Sequence, residues 1–361
     1  MTSEVEPQVG DENPKPRAVR SDDEDRLPLP ESGKHAEKHS KPRRRRLRRV
    51  LMVIGLVLAV LVSGTFALLL ERQSTFNNNI RRIAQALPPE GDRPDRVVGA
   101  AQNWLLVGSD KRSDNPGIGQ RADTIMLIHL AADRQRAYLV SFPRDAWVTV
   151  PGKGKAKINA SYAWGGPSLL IATIEKLSGV RIDHFASIDF EGFADMTDAL
   201  GGVEVVVPAD SVDPISKITW KRGRTFLDGK RALSYVRQRH GLPGGDFDRI
   251  KRQQDFLRAV VREAASAGTL TNPFKLNAFL DAFTRAVSVD DSVTVGTLRE
   301  LAFEVRDLRA SDIFYATAPV RGTGTEQRQS VVYMDPKRSK LLFDALRTDR
   351  VDDYLSNAGE G

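Results

Sequence analysis

Three apolar, partly β-branched runs follow one another at residues 104–107, 124–130 and 137–142, each bounded by Gly, Pro, Asp or Asn. Runs of that length and punctuation read as strands joined by loops. If neighbours pair antiparallel, the end of the first, the start of the second and the end of the third share one sheet edge. That edge would carry Asp110, Arg121, Asp123, Arg144 and Asp145. Its carboxylates suit a hard cation and its guanidiniums an anion. The two signs are expected to converge there without cancelling one another. Any one of these charges alone reads equally well as a solvated loop residue. The recurrence of Arg and Asp at one edge is what makes the set a candidate site.

The rest of the 361-residue chain frames that edge. It has no cysteine, which excludes disulfides and thiolate metal sites, and its length allows one large domain with accessory segments. The net charge of +7 is unevenly placed, because residues 1–49 hold 13 Lys/Arg against 10 Asp/Glu. The remainder is close to neutral, so the basic balance is weak support for a nucleic-acid partner. Residues 1–40 are too polar to bury a core and are expected to be disordered. KPRRRRLRR at 41–49 then meets 21 uncharged residues at 50–70, enough for a helix across roughly 30 Å of hydrocarbon. The run begins too far from the N-terminus, and is too long, for a cleaved signal peptide. It reads as a transmembrane anchor with the basic cluster in the cytoplasm, giving a single-pass type II membrane protein. Residues 71–95 then form a juxtamembrane stalk, with a short helix at 77–86, and residues 96–361 an extracytoplasmic domain starting near Val97.

Within that domain, PGKGK at 151–155 is a Gly-rich turn without the spacing of a Walker A loop. Lys153 and Lys155 read as surface residues, whereas Lys157 can reach an anion. A helix at 168–178 stops at Gly179, a strand follows at 181–190, a short helix at 193–200, and VEVVV at 203–207 reads as a fully buried strand. This alternation predicts an α/β sheet covered by helices. Asp228 can cap a helix over 229–239 that ends with Arg237 and Arg239, which can serve one ligand only if the helix frays there. After the GLPGG loop a long helix starts near Asp246, with Arg249 and Gln253 on one face. Its polar first turns suggest that its N-terminal end meets an anion; the plainer alternative is a solvated amphipathic helix. Helices at 275–287, 295–306 and 339–347, with strands at 313–319 and 331–334, complete the fold.

The chain has no HExxH and no GxSxG, and its five histidines (His35, His39, His129, His184, His240) are scattered. A zinc site or a Ser-His-Asp triad thus has little support. Arginines and aspartates at sheet edges and helix starts suit phosphate or pyrophosphate chemistry instead.

Seven segments, NWLLVGSD, GQRADTIMLIHL, SFPRD, PGKGKAKINASYAWGGPSLL, IDHFASIDFEGFADMTDALGGVEV, LDGKRALSYVRQRH and GGDFDRIKRQQDFLRA, together resemble the LytR-CpsA-Psr family, in order, over about residues 100–265. The resemblance implies an α/β/α sandwich with a central mixed sheet, an apolar pocket for a lipid chain, and a membrane anchor. It implies an enzyme that moves a glycopolymer of teichoic acid, arabinogalactan or capsule type from a polyprenyl-pyrophosphate carrier to peptidoglycan. By motif, Asp110 and Asp123 would hold Mg²⁺, or Mn²⁺ in its place. Arg121, Arg144, Lys157, Arg237, Arg239, Arg249 and Gln253 would bind the pyrophosphate. Asp110, Arg144, Arg239 and Asp246 would carry the chemistry, Asp246 by orienting an arginine or relaying a proton. The loop between the two metal aspartates, SDKRSDNPGIGQR, departs from the family pattern in being polar and Gly-rich. Two other classes stay open at this point: a hydrolase of the same lipid pyrophosphate, and a non-catalytic wall-precursor binding protein or envelope regulator.

Overall fold

The computed structural model describes residues 79–109 and 122–358. Fifteen strands are described in chain order: β1 (Arg81–Ile83), β2 (Gln102–Ser109), β3 (Ala122–Leu130), β4 (Ala137–Ser141), β5 (Trp147–Val150), β6 (Gly154–Lys157), β7 (His184–Asp189), β8 (Val203–Val207), β9 (Ser211–Val212), β10 (Thr219–Trp220), β11 (Gly223–Leu227), β12 (Val287–Asp290), β13 (Ile313–Thr317), β14 (Val320–Glu326) and β15 (Gln329–Met334). The helices are α1 (Ile158–Ser178), α2 (Phe190–Ala199), α3 (Gly229–Arg237), α4 (Asp246–Ala264), α5 (Ala267–Leu270), α6 (Pro273–Ala286), α7 (Val295–Glu304), α8 (Pro336–Arg347) and α9 (Val351–Ala358). Seven strands form one mixed sheet in the order β1-β12-β7-β2-β3-β4-β13. β3 runs antiparallel to both β2 and β4, whereas β7 and β13 run parallel to β2 and β4.

The central strands are apolar at nearly every position because both faces of the sheet are covered. Side chains alternate between faces along a strand. Leu105, Val107, Ile125, Leu127, Tyr138 and Val140 join a core with Leu170 and Ile174 of α1 and Leu342 and Leu346 of α8. Their neighbours Met126, Leu130, Ala137 and Leu139 pack the opposite face with Leu257 of α4 and Leu301 of α7. The expected α/β architecture with a central mixed sheet is therefore present. Gly108, at the end of β2, sits against Thr124 of β3, whose Cβ would lie 3.0 Å from any added Cβ. The two strands close at this end because that position carries no side chain.

Several local expectations change. Residues 81–83 are a strand rather than part of a helix at 77–86, because they pair in parallel with β12. A long-range ladder overrides a weak local helical pattern there. VEVVV is not fully buried: Val203, Val205 and Val207 face in, and Val206 is 63% exposed. It pairs with β11 in a two-stranded sheet covered on one face only. The helix expected at 168–178 is present, and a further helical segment from Ile158 precedes it across a break at Gly165–Gly166, where Gly166 has φ 61° and ψ −154°. Gly179 ends it in the left-handed conformation, as its sequence position suggests. The expected anchor at 50–70 lies outside the described residues. Among the described residues no helix is long and apolar enough to cross a membrane.

A second core gathers Met196, Val205, Trp220, Tyr235 and Phe256 between α2, α3, α4 and the β8–β11 pair. Ahead of β2, Arg93 is fixed to α1, its Nη2 donating to Glu175 at 2.7 Å. Glu175 also accepts from the Ile182 amide at 2.9 Å, and both charged side chains are almost wholly buried. Removing Glu175 leaves the buried Arg93 with only the exposed Glu90, at 3.4 Å, as counter-ion. Glu175→Ala should therefore cost roughly 3–5 kcal/mol, read by urea denaturation. A loss under 1 kcal/mol would show that Arg93 finds water instead.

Candidate functional site

The antiparallel run β2-β3-β4 places Asp123, the second residue of β3, beside the segment that follows β4. That segment turns at once: the Ala146 amide donates to the Pro143 carbonyl at 2.9 Å. The start of α1 then holds it, with Ile158 N–H donating to Ala146 O and Asn159 N–H to Arg144 O. Arg144 is thereby fixed in the main chain on both sides and aimed along the edge. Asp110 and Arg121, expected on the same edge, lie outside the described residues.

The charges at this edge are paired. The Arg144 guanidinium binds the Asp123 carboxylate, and its Nε lies 3.5 Å from Asp246 and 3.8 Å from Asp145. Lys157, at the end of β6, reaches Asp145 at 2.9 Å. Arg249 Nη2 lies 2.7 Å from Asp246 and donates to the Asp123 carbonyl at 3.2 Å. Among the described residues three cations thus face three carboxylates, which corrects the expectation for these that the two signs would not cancel. A half-buried edge cannot hold lone charges, since an unpaired ion out of water costs several kcal/mol, order-of-magnitude.

Pairing does not satisfy the cluster fully. Arg249 is 4% exposed, and its Nε, the Nε of Arg144 and both Asp246 oxygens are buried without a well-directed hydrogen bond. Burial pushes the Asp246 carboxyl above its ordinary range, against the pull of Arg249 and Arg144. Burial likewise lowers Arg249, helped by the positive charges of Arg144 and Arg239. For Arg144, burial works against the charge but Asp123, Asp246 and Asp145 outweigh it, so its pKa rises. The site is a set of ions held tightly in place and poorly solvated, an arrangement that favours an added anionic ligand with many acceptor oxygens.

The first turn of α4 is not open to an anion in the way the sequence suggests. Asp248 accepts from the Gly244 amide at 2.8 Å, and Asp246 fills the space between the two arginines. α3 ends at Arg237, two residues earlier than expected, with Gln238 extended at ψ 129°. The break lets Arg239 depart from the helical path, and it bears on the ionisation of Arg249. Arg237 and Arg239 are both exposed, and Arg239 Nε lies 3.2 Å from the His240 ring. Gln253 is not drawn into the ion cluster; its amide donates to the Val236 carbonyl at 3.3 Å.

Two supporting residues escape the sequence reading. Gln238, between the two exposed arginines, is 2% exposed and accepts from Arg252 at 2.7 Å. Arg252 also donates to Ser211 at 2.7 Å and lies over the Tyr235 ring, 4.5 Å from its centroid. Arg252 follows Arg249 by three positions, a spacing that puts both on the buried side of α4. Asp145 was visible only as an edge charge, and the structure makes it the counter-ion of Lys157.

For a metal, the described donors are sparse. Among the described residues no three acidic or histidine side chains converge on one point. Asp123 is partly exposed and bound by Arg144, and its carboxylate can still serve a hard ion such as Mg²⁺, which typically takes one or two carboxylates and completes its shell with water and phosphate.

The sequence profile of the LytR_cpsA_psr family matches residues 72–347. The chain is 35% identical over 298 residues to the cell wall biosynthesis protein LcpA of Corynebacterium glutamicum, a match covering 70% of this chain and 57% of LcpA. It therefore spans a little over half the length of that relative. It is 32% identical over 231 residues to the polyisoprenyl-teichoic acid--peptidoglycan teichoic acid transferase TagU of Bacillus cereus, covering 62% of this chain and 74% of TagU. Its fold matches the LytR-Csp2A-Psr enzyme from Actinomyces oris with a TM-score of 0.60 at 22% identity, over 74% of this chain and 95% of that one. With the profile spanning both the sheet and the ion-paired edge, the chain belongs to the LytR-CpsA-Psr family.

Proposed function

We propose that this protein is a membrane-anchored, Mg²⁺-dependent phosphotransferase acting outside the cytoplasm. It attaches a glycopolymer carried on polyprenyl pyrophosphate to peptidoglycan. The observation that carries this reading is the cluster of Arg144, Lys157 and Arg249 at one sheet edge, in which the Nε of both arginines is buried without a hydrogen bond. A pyrophosphate can take over those donors with charge-assisted bonds, which neutral ligands cannot match. The names of LcpA and TagU, a cell wall biosynthesis protein and a teichoic acid–peptidoglycan transferase, support the same class of reaction.

In this reading an acceptor hydroxyl, the C6 hydroxyl of a muramic-acid residue, attacks the phosphorus next to the sugar and loses its proton. A new P–O bond forms, the bond to the bridging oxygen breaks, and polyprenyl phosphate leaves with that electron pair and takes up the proton released by the hydroxyl. Arg144, with Arg237, Arg239 and Arg121, binds the pyrophosphate and stabilises charge developing on its oxygens. Lys157 screens the same anion from the other side, freed from Asp145 as the ligand enters. Both Asp246 oxygens are buried between Arg144 and Arg249, so Asp246 orients the guanidiniums instead of taking the proton. Asp123 and Asp110 hold the Mg²⁺, which when bound screens phosphate charge as a Lewis acid.

The test uses the full chain in detergent with a polyprenyl-pyrophosphate-linked saccharide, with Mg²⁺ or EDTA and with or without peptidoglycan. Release of polyprenyl phosphate should need Mg²⁺, and saccharide should become attached to peptidoglycan when it is supplied. Release that is equally fast without peptidoglycan, giving free saccharide phosphate, would identify a hydrolase. Arg144→Ala and Asp110→Ala should each lower release by about 10²–10³-fold while circular dichroism stays unchanged. Near-normal rates in both variants would overturn the assignment.

Asp246 gives a second check, on pH. Its folded-state pKa is raised, so its contribution to stability is present below the unfolded value and is lost as pH rises through the folded one. Asp246→Asn should therefore leave the thermal midpoint at pH 7 unchanged or higher, with the difference closing in acid. Activity of the variant should fall at every pH, because the guanidiniums lose their spacer. A lower midpoint at pH 7 with activity preserved would refute the orienting role.

A further inference from the structure

The ion-paired edge leaves the basic PGKGK turn without a role. This turn joins β5 and β6, whose register sets Trp147 opposite Lys157 and Thr149 opposite Lys155. Residues directly opposed in an antiparallel pair project from the same face, as do residues two apart along a strand. Trp147, Lys155 and Lys157 thus share one face of the hairpin. Lys157 ends on Asp145 beside Arg144, whereas Trp147 and Lys155 line an open trough of about 480 Å³.

The opposite wall comes from β14, β15 and α8, which contribute Arg321, Tyr333, Lys340 and Phe343. This wall is tied to the same point of the chain: Val332 N–H donates to the Asp145 carbonyl at 2.9 Å. Both walls therefore grow from the residue that neighbours Arg144. Inside the trough the Arg321 guanidinium lies over the Tyr333 ring, 5.2 Å from its centroid, and the Tyr333 hydroxyl donates to Glu326 at 2.9 Å. Lys340 is paired with Asp344. Among the described residues neither Lys155 nor Arg321 has a carboxylate partner. Half-buried aromatic side chains, Trp147 packed partly on the core and Tyr333 beneath Arg321, flanked by cations without carboxylate partners, match a ligand of rings with apolar faces and anionic substituents. The volume falls within the roughly 300–1,000 Å³ of small-ligand clefts.

The geometry points to a second binding site in this trough, for an anionic saccharide chain that leads away from the ion-paired edge. Its direction rests on the pyrophosphate reading; its chemistry comes from its own lining. The same chemistry is offered by a phosphate-bearing polymer and by the carboxylates of peptidoglycan. Trp147 and Tyr333 would stack on the rings, and Lys155 and Arg321 would hold the anions.

The test is calorimetric titration of the full chain in detergent with two probes, phosphorylated mannan oligosaccharides and lysozyme-released peptidoglycan fragments. Unphosphorylated mannan serves as the neutral control. Whichever anionic probe binds identifies the source. Its affinity should fall at least tenfold in the Lys155→Glu/Arg321→Glu double variant and also in Trp147→Leu, with the thermal midpoint of each variant confirming the fold. Absence of binding by either probe, unchanged affinity in the double variant, or loss by charge reversal alone with Trp147→Leu unaffected would overturn the site. Polyprenyl phosphate release by the unsubstituted chain, followed in parallel, tests the pyrophosphate reading by itself. Its absence would remove that reading, and probe binding would still decide the trough.

Discussion

Arg249 and Asp246, one turn apart at the start of α4, are taken out of water together, and much of the site follows from that burial. Burial costs both charges more than their contact returns, and each is pushed toward its neutral form. Their contact is viable only where further polar groups are within reach, and those are the Asp123 carbonyl and Arg144 at the edge of the sheet. α4 is therefore fixed against the start of β3. Its next turn is fixed as well, because Gln254 donates to Ser141 at 3.0 Å and to the Ala316 carbonyl at 2.9 Å. The helix joins three neighbouring strands of the sheet by polar contacts, while Leu257 adds the apolar one.

This arrangement places conflicting demands on the same residues. Burial pushes Asp246 and Arg249 toward neutrality, yet an anion site needs the arginine charged. The cluster resolves the conflict by sharing: Asp145 and Asp246 each serve two cations, and Arg239 remains at the exposed end. Ions held without ideal hydrogen bonds are a poor way to stabilise a fold and a good way to keep donors available for a ligand. The second core, with Arg252 locked by Gln238 and Ser211, carries α3 and α4 as a unit and so fixes where Arg237 and Arg239 leave the helix.

Much of this was legible along the chain. The three apolar runs with Asp and Arg at their ends specify neighbouring strands and a charged edge, because alternation and turn chemistry are local properties. Asp228 as a helix cap and Gly179 as a helix stop are equally local, and both stand in the structure. The strand at Arg81–Ile83 could not be read, since three residues acquire that conformation only from their partner in β12. VEVVV misled because four valines look the same whether a strand is covered on one face or on both. Gln238 and Arg252 were hidden because a polar residue between two arginines, or a third basic residue on a helix, looks solvated until its neighbours in space are known.

The sequence by itself determined the α/β alternation, the family, and the identity of the charges gathered at the start of β3 and just after β4. Those properties depend on periodicity, capping and motif spacing, each confined to a few residues. Only the tertiary structure decided that the charges pair. It also decided that Asp246 stands between two arginines, and that Lys155 lines a trough walled by residues nearly two hundred positions away. Pairing, burial and pKa depend on distances through space, and no local pattern encodes them.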